Sequence, residues 1–178
     1  MGDRSTIALL QTDGTVESVF TYWNGFISGN GALLYQYHNS RELVQDLIKL
    51  GDIYNLTDII EPPIGTTHTI EKPINGVSLF YSRDGTEKVT TKKYNSLEQY
   101  LNCDDLQGYN YIFYENKKQW YLIDNDTKKL EKLTKHLLQD EEVSDHIKKM
   151  IRNEKLKNKL EKKLSPKDYQ IKVKNNKI

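Results

Sequence analysis

The sequence predicts an α+β fold: an antiparallel sheet of about four or five strands, two or three helices on one face of it, and a C-terminal helical extension. Three observations carry this. Strand-like runs are punctuated by Asp13-Gly14 and Asp84-Gly85. The stretch Leu43 to Ile48 has its apolar residues at helical spacing. Beyond Asp126 the pattern turns into leucines among lysines.

Taken in order, residues 5–11 and 15–22 read as strands flanking Asp13-Gly14. Asp-Gly between two strands is the strongest short-range hairpin signal, because both central residues of the tight turn take positive φ. Val16, Ser18, Phe20 and Tyr22 alternate onto one strand face. Residues 25–31 then hold three glycines, which predicts a loop, and a short helix is expected over Ala32 to Tyr37. Ser40 is a good N-cap for the next helix. Glu42 suits its positive end, Leu43, Val44, Leu47 and Ile48 form its apolar stripe, and Gly51 fits the C-cap.

Residues 60–76 hold Pro62, Pro63, Gly65, Pro73 and Gly76, which predicts a long irregular connection of the kind that is functional or mobile. Val77 to Tyr81 reads as a strand, residues 86–94 as a weak edge strand, and Ser96 with Gln99 as the start of a helix to Leu101. Tyr109 to Tyr114 and Gln119 to Ile123 read as a second hairpin around Glu115–Lys118. Leu130, Leu133, Leu137 and Leu138 mark one tail helix. A second runs through Val143, Ile147, Met150, Ile151, Leu156, Leu160 and Leu164 and is stopped by Pro166. The expected organisation is a core over 1–125 and a lysine-rich extension over 126–178.

The net charge of +1 hides an asymmetry. Residues 126–178 hold sixteen Lys/Arg against nine Asp/Glu, and residues 1–125 hold ten against sixteen. An acidic body with a basic arm follows. The basic side chains Lys148, Lys149, Arg152, Lys155, Lys159, Lys162 and Lys163 are candidates to meet nucleic acid or a protein partner; docking on the acidic body is the alternative. Cys103 is the single cysteine, so no internal disulfide forms and a reducing, cytoplasmic setting is expected rather than secretion. No apolar run reaches the ~18 residues of a membrane span, so no membrane association is expected.

The candidate ligand patch is Tyr22, Trp23, Asn24, Gly25, Phe26, Gly29 and Gly31, with Arg83. Glycine backbones let N–H groups converge on an anion, and Tyr22, Trp23 and Phe26 could stack a base. The alternatives are a structural strand-to-helix turn and a rim of the core. Arg83 could meet a phosphate or carboxylate, or pair with Asp84. The histidines at 38, 68, 136 and 146 have no partner at metal-ligand spacing. Neither a metal nor a cofactor is expected, and no catalytic motif is present.

Arg4-Ser5-Thr6-Ile7-Ala8, Asp13-Gly14-Thr15-Val16, Tyr22-Trp23-Asn24-Gly25-Phe26, Gly31 and Leu50-Gly51-Asp52 form an ordered pattern. It resembles a family of small proteins of bacteriophages and other DNA viruses. Members read as a strand, Asp-Gly, a strand ending His-Trp-Asp-Gly-Tyr-Pro, a glycine loop and a helix ending Leu-Gly-Asp. Phe80-Tyr81-Ser82-Arg83-Asp84, Tyr109–Phe113 and Trp120-Tyr121 resemble its later segments, so the likeness covers about residues 4–124. Here the family His is Tyr22, the Asp is Asn24, the Tyr is Phe26 and the Pro is Ile27. The pair that titrates is thereby lost. The resemblance implies a viral setting in the host-cell interior; together with the lost pair it motivates an accessory protein that binds a host factor, with an enzyme as the last-ranked reading. A protein that sequesters a small nucleotide-like ligand is the runner-up, and association with nucleic acid through the tail is a third expectation.

Overall fold

A computed structural model describes residues 3–133 of the chain. Its strands are β1 (Ser5–Leu10), β2 (Val16–Thr21), β3 (Ile53–Asn55), β4 (Leu79–Phe80), β5 (Lys92–Tyr94), β6 (Tyr109–Tyr114), β7 (Gln119–Ile123) and β8 (Leu130–Lys132). Its α-helices are α1 (Ala32–Tyr37), α2 (Arg41–Lys49) and α3 (Leu97–Leu101). Together they make an α+β fold on one sheet, ordered β4-β3-β2-β1-β6-β7-β8, with β5 also pairing to β2.

The sheet is mixed and eight-stranded, which corrects the expected antiparallel sheet of four or five strands. β1 runs parallel to β6, from Ser5 opposite Tyr109 to Leu10 opposite Tyr114, and β2 is parallel to β3 at Thr21–Ile53. Hairpin signals report only neighbours in sequence, whereas β1 pairs with a strand far along the chain. Its central place explains why Ser5 through Leu9 are all buried.

The alternation of β1 divides the interior. Ala8 faces a cluster with Val16, Tyr94, Ile112, Tyr121, Ile123 and Tyr100 of α3. Ile7 and Leu9 point the other way. On that opposite face Tyr111 donates to the Gly25 carbonyl at 2.7 Å, and Trp120 donates from Nε1 to the carbonyl of His38, at the end of α1, at 2.8 Å. Val44, Leu47 and Ile48 of α2 are buried outside the α3 cluster. The helices therefore lie on both faces of the sheet, not on one.

Local signals behave as their chemistry requires. The Ser40 hydroxyl accepts from Leu43 N and the Ser96 hydroxyl from Gln99 N, at 3.3 and 3.1 Å. The first hairpin is wider than a two-residue turn. Gln11 N donates to Thr15 O at 2.9 Å, and only Gly14 takes positive φ, at 88°. Asp13 serves it by accepting from the amide and hydroxyl of Thr15. The strand expected over Val77 to Tyr81 narrows to Leu79–Phe80, because the chain turns from Tyr81. The weak edge strand is β5, antiparallel to Val16–Ser18. Leu130 opens a strand rather than a helix: Leu130–Lys132 pairs antiparallel with β7, so the sheet continues past residue 125. The helices expected further along lie outside the described residues.

Candidate functional site

The turn after β2 is tied down by its own chain. Asn24 takes φ 58°, and its carbonyl accepts from Asn30 N at 2.7 Å. Gly25 N donates to Asp3 O at 2.5 Å, and Gly29 and Gly31 N both donate to Phe26 O, at 3.0 and 3.4 Å. Asn30 is buried and donates from Nδ2 to the Ser5 hydroxyl and to Trp23 O, at 3.0 and 2.9 Å. Four N–H groups that an anion would need are thus given to carbonyls. The expected anion cradle of Gly25, Gly29 and Gly31 is instead a strand-to-helix turn packed on β1 and β6.

What the turn presents outward is aromatic. Phe20 and Tyr22 share a face of β2 and its continuation, with ring centroids 6.2 Å apart. Tyr22 meets Trp23 edge-on at 5.0 Å, and the Arg4 guanidinium lies 5.1 Å from the Tyr22 centroid. Trp23 is 39% exposed, large for a side chain whose backbone is so tightly held. Asn24 is exposed beside it, with its amide 3.5 Å from Asn55 Oδ1, and Phe26 is half-buried. Tyr22, Trp23 and Asn24 therefore come together at the surface, while Gly25, Gly29 and Gly31 serve the backbone beneath them.

Arg83 is spent elsewhere. Its Nε and Nη2 hold Asp84 Oδ1 and Oδ2, each at 2.8 Å, and Nη1 and Nη2 donate to Ile60 O and Ser78 O at 2.7 Å. A guanidinium so filled has no fork left for a phosphate. Of the two sequence expectations for Arg83, the pair with Asp84 is the one present.

Beside it lies a group with the residue types of a nucleophilic triad, wired differently. Ile74 N–H donates to His68 Nδ1 at 3.0 Å, so Nε2 carries the proton and donates to Ser78 O at 3.2 Å. The Ser78 hydroxyl accepts from Thr57 N at 3.0 Å and donates to Thr57 O at 3.3 Å. Imidazole and hydroxyl do not face each other, and all of Ser78 is buried. The buried ring of His38 likewise donates from Nε2 to Thr57 O at 2.6 Å, and burial lowers its pKa.

Two clefts open on the α3 side of the sheet. The smaller, about 210 Å³, lies where β2 passes from its pairing with β5 to its pairing with β3, and Thr6, Phe20, Asp52, Lys92, Asp105 and Gln107 line it. Its charged groups already have partners within the fold. Asp52 accepts from Phe20 N at 2.8 Å, and Asp105 pairs with Lys92 and accepts the Tyr94 hydroxyl at 2.7 Å. Lys92 first and Tyr94 second hold the Asp105 carboxyl below its ordinary range. The larger cleft, about 530 Å³, is walled by Tyr54 and Tyr81 with Glu71 and Glu87. None of these four stands among the site residues expected from sequence. The irregular connection over 60–76 was the one local signal near them.

No group of three His, Cys, Asp or Glu residues able to hold a metal is found among the described residues. No helix among them is long and apolar enough to cross a membrane. The tail candidates Lys148, Lys149, Arg152, Lys155, Lys159, Lys162 and Lys163 lie outside the described residues. Comparison with protein-family models, with characterised proteins and with solved structures finds no match for this chain.

Proposed function

We propose that this chain is a viral accessory protein that binds a host protein through the aromatic strip of Phe20, Tyr22 and Trp23, with Arg4 at its edge. The observation that carries this is Trp23: 39% exposed, stacked edge-on to Tyr22, with its carbonyl held by the buried Asn30. Trp, Tyr and Arg are enriched among the side chains that dominate protein interfaces, and the two aromatics bury much area while losing little conformational freedom. The resemblance of residues 4–124 to phage and DNA-virus proteins supports the viral setting. The replacement of the family His and Asp by Tyr22 and Asn24 supports binding over catalysis. The runner-up, a sequestered nucleotide, is weakened by the same geometry: the backbone N–H groups and Arg83, which would hold its phosphates, are already bonded.

The test is affinity capture from host cells with wild type, Trp23→Ala and Val89→Ala, followed by reconstitution with the captured protein in pure form. Val89 is another exposed apolar residue and serves as the control. The reading expects one protein retained by wild type and Val89→Ala and lost by Trp23→Ala. A partner retained equally by all three variants would move the interface off this strip. The charge of residues 126–178 favours a further, non-specific association with nucleic acid. A gel shift that survives deletion of 148–178 would remove it.

A further inference from the structure

We infer that the cleft between Tyr54 and Tyr81 is a binding site for an alkylammonium group. The pairing of β3 with β4 builds it. Ile53 and Phe80 pair and are both buried, and at the irregularity that follows, before Asn55 pairs with Leu79, Tyr54 comes beside Tyr81, the first residue past β4. Their ring centroids lie 5.5 Å apart with planes at 76°, two walls of an aromatic corner. The space is about 530 Å³, inside the roughly 300–1,000 Å³ common for small-ligand sites.

The electrostatics select the sign of the ligand. Glu71 and Glu87 line the cleft, both are exposed, and neither makes an ion pair among the described residues. Asp84, at the floor, is neutralised by Arg83. No basic side chain lines the space. Burial, followed by the Glu87 carboxylate, raises the pKa of the Tyr81 hydroxyl, so the phenol stays neutral and its ring keeps a negative face. An ammonium carrying methyl groups matches each wall: its charge meets the ring faces and carboxylates, and its methyls contact the rings and Ile70. An anion would meet two unpaired carboxylates instead. The same chemistry comes from a free quaternary ammonium or from a methylated lysine side chain. Trp23 does not line this cleft, so the inference stands apart from the host-protein reading.

The test is an NMR titration of the full chain with choline, with 3,3-dimethylbutan-1-ol as a neutral probe of the same shape, and with a short peptide carrying trimethyllysine. We expect saturable movement of the Tyr54 and Tyr81 ring signals with choline, and binding of the alcohol roughly tenfold or more weaker. Replacing both Glu71→Gln and Glu87→Gln, surface changes that leave the core intact, should weaken choline by roughly tenfold. Tighter binding of the peptide than of choline assigns the site to a lysine side chain; equal or weaker binding assigns it to a free quaternary ammonium. Either result supports the site. It is overturned if neither choline nor the peptide moves those rings, if the alcohol matches choline, or if the double glutamine variant binds choline as wild type does.

Discussion

Arg83 grips the carboxylate of its own neighbour, Asp84, through two parallel bonds of 2.8 Å, while the same guanidinium caps the carbonyls of Ile60 and Ser78. Asp84 in turn accepts from Phe80 N at 2.8 Å, and its carbonyl accepts from Ile70 N at 3.0 Å. The pair therefore clips the turn after β4 to the irregular connection over 60–76. The Asp84 side chain is 2% exposed and that of Arg83 18%, so removing one partner strands a charge away from water. Asp84→Asn should cost about 3 kcal/mol in urea unfolding. Arg83→Lys keeps the charge but loses the fork, and should cost about 2 kcal/mol. A loss below 0.5 kcal/mol for Asp84→Asn would show that the clip does not hold the connection.

The two ends of the β1–β2 hairpin resist a methyl group for different reasons. A Cβ on Gly25 would fall 2.6 Å from Arg4 C and from Asp3 O, both backbone atoms that cannot step aside. A Cβ on Gly14 meets nothing within 4 Å, and the only obstacle is φ at 88°. Gly14→Ala should cost about 1–2 kcal/mol. Gly25→Ala should cost more, about 3 kcal/mol, by overpacking. Thermal unfolding of the two variants side by side checks the order.

Beneath the sheet, Thr6 joins two partners: its hydroxyl lies 2.7 Å from the Tyr100 hydroxyl and donates to Asn110 Oδ1 at 2.7 Å. Thr6→Val leaves two buried polar groups short of a bond, at about 1–3 kcal/mol. Tyr100→Phe removes a hydroxyl while Thr6 keeps Asn110, and should cost about 1 kcal/mol. Denaturant midpoints that reversed this order would mean that the Thr6–Asn110 bond contributes little.

His38 sets a pH dependence. Burial lowers its pKa below the ordinary 6.5, against the pull of its bond to Thr57 O and of the Asp58 charge. The unfolded chain therefore takes up the proton first as pH falls. The stability that depends on a neutral His38 is whole above pH 6.5, and is lost as pH drops from there through the folded-state value. The slope it contributes is at most about 1.4 kcal/mol per pH unit. His38→Gln, which keeps a donor for Thr57 O, should flatten the pH profile of urea unfolding between pH 7.5 and 5 relative to wild type. An identical profile would place the dependence on other groups.

Much of the local structure is readable from residue chemistry. The caps at Ser40 and Ser96, the helical stripe of α2 and the β6–β7 hairpin each depend on contacts within a few residues. The candidate site was legible only in part. Tyr22, Trp23 and Asn24 do gather at the surface, yet the glycines of the turn carry no sign that their N–H groups go to the carbonyls of Asp3 and Phe26. Tyr54 and Tyr81 are ordinary tyrosines in sequence. They become a pair only through the register of β3 against β4.

By itself, then, the sequence determined the α+β class, the helices α1 to α3, the antiparallel hairpins and the charge asymmetry between residues 1–125 and 126–178, because periodicity, capping and composition act over short range. Tertiary structure alone decided that β1 lies between β2 and a parallel β6, that the helices divide between two faces, and that Leu130–Lys132 extends the sheet. It also decided that Arg83 is a clip and that two distant tyrosines wall one cleft. These are matters of which buried surfaces and backbone edges find each other across long stretches of chain, and the free energy of burying them is shared among many residues, so no single position in the sequence announces it.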